Sequence, residues 1–277
     1  MATFSFLFWN LNGKVPAELV ARAARECDTN VLVLAESTVP LPDLLFALNA
    51  TGKPQFKHVF DPVGRITLLV SFPRRSVRLV RDEPGDGLAV RRLTFPGERD
   101  LLLALVHLPS KLHQDDPDQL ARSIRIARVI EELEANAGHR RTLLVGDLNM
   151  NPFDAGTISA DGFHAVMTQQ LAREEGRIVS GQYRRFFYNP MWGKFGDTTP
   201  GAPGTYFYRK ATQQVVFWNV FDQVLLRPEL LDGFDLASLR IIDSIGEFSL
   251  LNRIGRPSPS DHLPIAFTLR VPGDFSG

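Results

Sequence analysis

The sequence predicts an α/β sandwich in which stacked sheets are flanked by helices, and three observations carry that prediction. Short apolar segments alternate with turn clusters from end to end. Several of these segments are apolar on both faces, as strands covered on each side must be. Helical periodicity is confined to a few places. With 44% apolar and 22% charged residues among 277, the chain has the profile of a globular protein able to bury a substantial core. One domain spanning residues 1–277 is the expectation.

The elements follow in order. "TFSFLFW", "VLVLAE", "ITLLVSF", "LAVRRLTF", "DLLLALVHL", "RTLLVGD", "VVFWNVFDQVLL" and "LPIAFTLRV" read as strands, being short, rich in Val, Leu and Phe, and bounded by Gly, Pro, Asp or Asn. The first has no basic segment before it and no small-residue cleavage site after it, so it reads as a strand and not a signal peptide. Residues 16–27 place Leu19, Val20, Ala23, Ala24 and Cys27 on one side of a helix, with Pro16 suited to its first turn. Cys27 is therefore expected as a buried thiol. Residues 117–136 form the clearest helix, with Ile126, Val129, Ile130 and Leu133 as its apolar stripe and Arg122, Arg125 and Arg128 on a wet face. The stretch 181–209 is too long for an ordinary connection and dense in aromatic, Gly and Pro residues; it is expected as an aromatic-rich loop insertion.

Composition narrows the function. A single cysteine rules out an intramolecular disulfide and fits a reducing, cytoplasmic setting. No apolar window approaches the ~18–20 residues needed to cross a bilayer. Lys+Arg equals Asp+Glu at 31 each, which argues against coating nucleic acid by charge alone. Arg74-Arg75, Arg91-Arg92, Arg140-Arg141 and Arg184-Arg185 read first as solvated surface. No obligate protein partner is evident.

Chemistry concentrates where strands end. "LLVGDLNMNPFD" runs a buried strand straight into Asp147, Asn149, Asn151 and Asp154. Four other stretches do the same: "FWNLNG" with Asn10 and Asn12, "VLAES" with Glu36, "ALVHLPSK" with His107, Ser110 and Lys111, and "SDHLPI" with Ser260, Asp261 and His262. Side chains two apart in an extended chain share a face, so Asn10/Asn12 and Asp147/Asn149 can each aim two groups the same way. Taken singly each is a common turn pattern.

In this order, however, the five motifs resemble the endonuclease/exonuclease/phosphatase superfamily, the DNase I-like fold, over residues 4–270. The resemblance implies a four-layer α/β/β/α sandwich with two packed, mostly antiparallel sheets. It implies a divalent-metal-dependent phosphodiester hydrolase, a nuclease acting on DNA or RNA. Glu36 resembles the principal metal ligand, with Asn12 and Asp261 completing an oxygen-rich site suited to Mg²⁺ or Mn²⁺. Asp147 resembles the residue that orients or deprotonates the attacking water, and Asn149 one whose amide meets the phosphate in the transition state. Asn10 is similar to another phosphate-side group. His262 resembles a group that holds the scissile phosphate or moves a proton, with Asp222 as the carboxylate fixing its ring. His107 stands where relatives place a group touching the phosphate or leaving oxygen; its other reading is a core histidine. Leu148 and Gln223 depart from the pattern, since each stands where relatives often carry an aromatic.

Two further readings accompany this one. The substrate is a phospholipid, inositol phosphate or other small phosphoester, or the chain keeps the fold without turnover as a binding or scaffold protein. For nucleic acid, Tyr183, Phe186, Phe187, Tyr188 and Trp192 are the candidate stacking surfaces; core packing or a lid is their plainer use.

Overall fold

A computed structural model describes residues 2–52, 55–60, 66–94, 100–110, 115–198, 200–211, 213 and 215–271. The first eight strands are β1 (Ala2–Asn10), β2 (Val31–Ala35), β3 (Lys57–Val59), β4 (Ile66–Val70), β5 (Val77–Glu83), β6 (Leu88–Leu93), β7 (Leu101–His107) and β8 (Thr142–Asp147). The main helices are α1 (Ala17–Glu26), α2 (Leu41–Asn49) and α3 (Asp116–Ala137). A six-stranded sheet runs in the order Phe234–Ile241, Ile265–Val271, β1, β2, β4, β3. A seven-stranded sheet runs β5, β6, β7, β8, Asp222–Leu226, Phe187–Tyr188, Ala165–Val166. Most neighbours are antiparallel; β1 with β2, β7 with β8, and Phe187–Tyr188 with Ala165–Val166 are parallel, the first two pairs joined through α1 and α3.

Period-two alternation makes the layers. In β1, Phe4, Phe6 and Phe8 face the other sheet, where they meet Leu101, Leu103 and Leu105 of β7 and Leu143 and Val145 of β8 in one buried cluster. The intervening Leu7 and Trp9 pack with Leu32 and Leu34 under α1 and α2. On the opposite flank, Leu102, Ala104 and Val106 pack with Leu144 against Ile126, Ile130 and Leu133 of α3. The result is the four-layer α/β/β/α sandwich. Its helices begin and end where local chemistry dictates: Asp115 Oδ1 accepts from Asp118 N at 3.0 Å to cap α3, and Gly138 closes it in the left-handed region at φ 69°.

Several expectations are corrected. Arg122 is buried, not wet: the turn between β5 and β6 folds onto α3, where the guanidinium meets Asp86 at 3.1 Å and the Gly85 carbonyl. Arg91 and Arg141 are likewise buried inside their pairs. Cys27 is only partly buried because it lies past the last turn of α1; burial still pushes its thiol up, against the nearby Arg240 guanidinium. Within 181–209 the chain forms the strand Gln182–Arg185, the strand Phe187–Tyr188, a 3-10 turn at Pro190–Lys194 and the strand Tyr206–Phe207. Phe186, Phe187 and Tyr188 are core residues, while Tyr183 is exposed on a hairpin whose other strand is Gly176–Val179. The helix α2, the strand β5 and the strand Phe234–Ile241 had no clear sequence signal.

Candidate active site

The alternation that fills the space between the sheets also builds the site. Leu105, Val145 and Val224 belong to the inter-sheet core, and residues two positions nearer one edge of the sheet are His107, Asp147 and Asp222. These three lie in one row across adjacent strands, His107 opposite Asp147 and Asp147 opposite Asp222. On the facing sheet Phe8 is followed by Asn10 on the same face, at the same edge. Two parallel pairs end here and two antiparallel strands begin here, so both sheets deliver polar side chains to one place.

Close packing holds the row. Gly146 has φ 153°, and a Cβ there would collide with the Val106 carbonyl of β7. After Asp147 the chain turns sharply, with Asn149 at φ 50°. Gln223 secures this turn: fully buried, it donates from Nε2 to the Met150 carbonyl and to the Val220 carbonyl at 3.0 Å, while Asn189 Nδ2 donates to its Oε1 at 2.7 Å. The polar residue that stands in place of an aromatic is thus a tie between β8's exit and the strand Asp222–Leu226. Asn151 adds a second tie, donating to Asn219 Oδ1 at 2.9 Å and accepting from Val220 N at 3.0 Å.

The carboxylates are linked by amides. Asn10 Nδ2 donates to Glu36 Oε1 at 3.2 Å and to Asp147 Oδ2 at 3.0 Å, which engages both its amide hydrogens. Its Oδ1 accepts from Asn12 N at 3.0 Å, and Asn12 Nδ2 donates to Asp261 Oδ1 at 2.6 Å. Asp147 Oδ1 accepts from Asn149 N at 2.8 Å, and Asn149 Nδ2 donates to the Leu108 carbonyl at 2.8 Å. Asp147 is buried, whereas Glu36 is exposed and Asn12 and Asp261 are partly so. Glu36 and Asn12 have φ of 49° and 44°. Left-handed backbone at a glutamate is unfavourable by about 1–2 kcal/mol; neighbouring turns hold it through Gly13 N to the Glu36 carbonyl at 2.9 Å.

The two histidines differ. His107 Nε2 lies 3.1 Å from Glu36 Oε1. Its hydrogen bond is the chief reason the Glu36 carboxyl is held down at about 2, burial opposing and Asn10 assisting. Burial disfavours the His107 cation, but the hydrogen bond to Glu36 and the charge of Asp147 win and raise its pKa. His262 sits deeper, with Nδ1 2.9 Å from Asp222 Oδ2 and Nε2 3.9 Å from Asp147 Oδ2. Burial pulls its ring toward the neutral form, yet Asp222, Asp147 and Asp261 push it up to about 10. Burial also pushes Asp222 up, against the His262 charge. Ser260 Oγ accepts from His262 N at 3.1 Å and donates to the Asn10 carbonyl at 2.7 Å, and Trp9 Nε1 donates to the His262 carbonyl at 3.0 Å, fixing the last motif to β1.

The nine positions expected at the site, Asn10, Asn12, Glu36, His107, Asp147, Asn149, Asp222, Asp261 and His262, are thus brought to one edge, with Ser260 beside them. Lys111 lies outside the described residues. Thr205 and Tyr206 were missed: Thr205 Oγ1 accepts from Phe221 N and Asp222 N at 3.1 and 3.2 Å, and the Tyr206 ring lies 4.6 Å from that of His262. Burial, then Asp261, pushes the Tyr206 phenol up to about 12. No motif marked either residue, because their roles arise from the hairpin Tyr206–Phe207/Trp218–Asn219 folding back on the site.

Asp147, Asp222 and His262 also place ligand atoms within 4.8 Å of one another. These groups are largely committed to one another: His262 Nδ1–H donates to both oxygens of Asp222, and so offers no lone pair to a metal. The exposed side of Glu36, with Asp261 and Asn12, offers hard oxygen donors that are open to solvent.

A family model described as Endonuclease/Exonuclease/phosphatase family matches residues 7–262. No curated protein matches the sequence. Among solved structures, truncated Caenorhabditis elegans TDP2 is similar over 97% of this chain and 98% of its own, at TM-score 0.56 and 16% identity. D. rerio TDP2 complexed with single strand DNA product is similar over 98% and 100%, at TM-score 0.53 and 18% identity. An AP endonuclease from Archaeoglobus fulgidus is similar over 97% and 100%, at TM-score 0.56 and 14% identity. At these identities the likeness is one of fold.

Proposed function

Because this chain belongs to the Endonuclease/Exonuclease/phosphatase family, we propose that it is a divalent-metal-dependent phosphodiester hydrolase acting on nucleic acid. The observation that carries the reading is the row His107, Asp147, Asp222, joined to His262 on one side and, through Asn10, to Glu36 on the other. The solved relatives favour nucleic acid over a small phosphoester, since they include an AP endonuclease and a TDP2 bound to a DNA product. Among the described residues no helix is long and apolar enough to cross a membrane.

Glu36, Asp261 and Asn12 would hold the cation, Mg²⁺ or Mn²⁺, because carboxylate and amide oxygens are hard donors. Bound there, the cation would supply positive charge at the phosphoryl oxygens. Asp147 takes the proton of the attacking water, its carboxylate aimed by Asn10 and the Asn149 backbone. His262, kept protonated by Asp222, presents Nε2–H to a phosphoryl oxygen. Asn149 retains one amide hydrogen for another, since the first is given to Leu108. His107, whose pKa is raised by Glu36 and Asp147 against burial, protonates the leaving oxygen. Asn10 acts by joining Glu36 to Asp147, the two carboxylates to which both its amide hydrogens are given.

The test is hydrolysis of bis(p-nitrophenyl) phosphate and of an oligonucleotide with Mg²⁺ or Mn²⁺, using Glu36→Ala and His262→Ala as controls. Activity lost with a chelator and in both variants is the expected result. A folded parent that hydrolyses neither substrate with any divalent ion overturns the reading and favours the scaffold.

A further inference from the structure

The chain carries no net charge, yet two segments beside the site carry only positive charge. From Gly204 to Phe221 the charged residues are Arg209 and Lys210; from Leu250 to Ser260 they are Arg253 and Arg256. No Asp or Glu occurs in either segment. They are far apart in sequence and meet in space, for the Arg256 guanidinium lies over the Phe207 ring at 4.6 Å.

Both segments lead straight into the catalytic edge. Tyr206 pairs with His262 in an isolated bridge, Thr205 accepts from Leu263 N at 2.7 Å, and Arg256 lies six residues before His262. The surface they form is also aromatic. Phe207 packs edge-on against Trp218 at 5.3 Å and tilted against Phe217 at 6.4 Å. Phe217 is 46% exposed, its chain neighbour Val216 is exposed too, and so is Ile254, two residues before Arg256. An apolar patch of this kind, rimmed by cations, is unfavourable in water unless something covers it. The occupant that matches both features is a polyanion with flat, unpaired rings.

We infer that single-stranded nucleic acid flanking the scissile phosphate runs over this surface, with a base stacked on Phe217 and phosphates beside Arg209, Lys210, Arg253 and Arg256. This rests on the hydrolytic reading of the site and narrows it: the substrate is a strand with unpaired bases on at least one side of the cut. A duplex hides its base faces inside the stack, so it would use the cations and leave Phe217 uncovered.

The experiment compares parent, Phe217→Ala, Arg256→Ala and Arg209→Ala/Lys210→Ala on bis(p-nitrophenyl) phosphate, which has no flanking nucleotides, and on oligothymidine. Binding of fluorescein-labelled oligothymidine is measured alongside by anisotropy in chelator, across a range of salt. Hydrolysis of the small ester is expected unchanged in every variant. On oligothymidine, kcat/KM falls roughly tenfold for Phe217→Ala, and the log–log salt slope of binding shrinks by about 0.7 for each cation removed. Small-ester hydrolysis with undiminished action on oligothymidine in all variants overturns this inference and leaves the hydrolytic reading standing. Equal loss on a blunt duplex in Phe217→Ala overturns the single-stranded assignment. Failure of the parent on both substrates, with variant-sensitive binding retained, overturns the hydrolytic reading and not the surface.

Discussion

His262 Nδ1 lies 2.9 Å from Asp222 Oδ2 and 3.1 Å from Oδ1, with both side chains buried. The carboxylate therefore takes Nδ1–H and leaves Nε2–H on the side of Asp147, whose Oδ2 is 3.9 Å away. Burial alone would make this ring neutral; the acids around it push it up to about 10. A raised histidine is charged below its ordinary value near ~6.5 and loses its proton only as pH climbs through the raised one. Activity that needs the imidazolium is thus predicted to persist through pH 8 and fall toward pH 10. In Asp222→Asn the chief raising influence is gone, so the alkaline limb moves to lower pH and the rate at pH 8 drops by about 10²-fold. A pH–rate profile measures this. An unmoved alkaline limb in the variant contradicts the pairing as the source of the charge.

Asp147→Asn keeps the shape but not the base. Asp147 accepts on both oxygens, from Asn10 and from Asn149 N; an amide retains one acceptor, so one donor is left unsatisfied at about 1–3 kcal/mol. The prediction is a folded protein with a lower Tm and a kcat reduced by about 10²–10⁴-fold. Circular dichroism and steady-state rates together decide it, and full activity would remove Asp147 from the role of base.

Glu36 offers a direct reading of the rim. His107 donates the hydrogen bond that chiefly holds its carboxyl at about 2. In chelator, carbon NMR of the Glu36 carboxyl is expected to titrate near that value, and in His107→Ala to move up toward the ordinary carboxylate range. Since the folded value is depressed, the favourable contribution exists above the ordinary range and disappears as pH falls through about 2. Glu36 is exposed, so solvent screening keeps the matching change in Tm small. An unshifted resonance in His107→Ala would break the link between the two residues.

The parts of this site that were legible in the sequence are those set by local rules. A strand that ends in Asn, Glu, His or Asp declares both its period and its tip, and Asp147 and Asn149 needed only the word "GDLN" to be found. His262 with Asp222 was legible through the order of motifs, although 40 residues separate them. What stayed hidden depends on contacts across the fold. Arg122 looks solvated until the β5–β6 turn brings Asp86 to it, and Gln223 looks like a lapse until Met150 and Asn189 are placed around it. Thr205 and Tyr206 lie in a stretch whose Gly, Pro and aromatic content says only that it is irregular. The inner strands of the sheets were readable because they are apolar on both faces, whereas β5 and Phe234–Ile241, each at one edge of its sheet, carry exposed polar residues and lack that signal.

Gly146 tests the packing behind the site. Any Cβ there meets the Val106 carbonyl, a backbone atom within the β7–β8 ladder that cannot swing away, and φ 153° is itself unfavourable for an L side chain. Gly146→Ala is predicted to destabilise the fold by about 3 kcal/mol or more, seen as a Tm lowered by about 10 °C or as insoluble protein. A melting curve superimposable on the parent would show that the two strands are not held at the spacing described.

Arg227 separates stability from catalysis. It follows directly on the strand that begins with Asp222, so the strand's rise puts it about 17 Å from the catalytic row. There its Nε lies 2.8 Å from Glu134 Oε1, its Nη1 donates to the Phe186 carbonyl at 3.1 Å, and its guanidinium covers the Phe187 ring at 3.9 Å. Both members of the ion pair are almost fully buried, so removing one charge strands the other, a change of about 3–5 kcal/mol. Glu134→Gln is therefore predicted to lower Tm by about 10 °C while kcat/KM measured well below the new Tm stays within about twofold of the parent, since no catalytic group touches either residue. Replacing both together, Glu134→Leu with Arg227→Met, removes the stranded charge and should recover most of the lost Tm. Parallel melts and assays on the three proteins give the answer: a variant that melts like the parent but turns over slowly would mean that this end of the sheet takes part in the reaction.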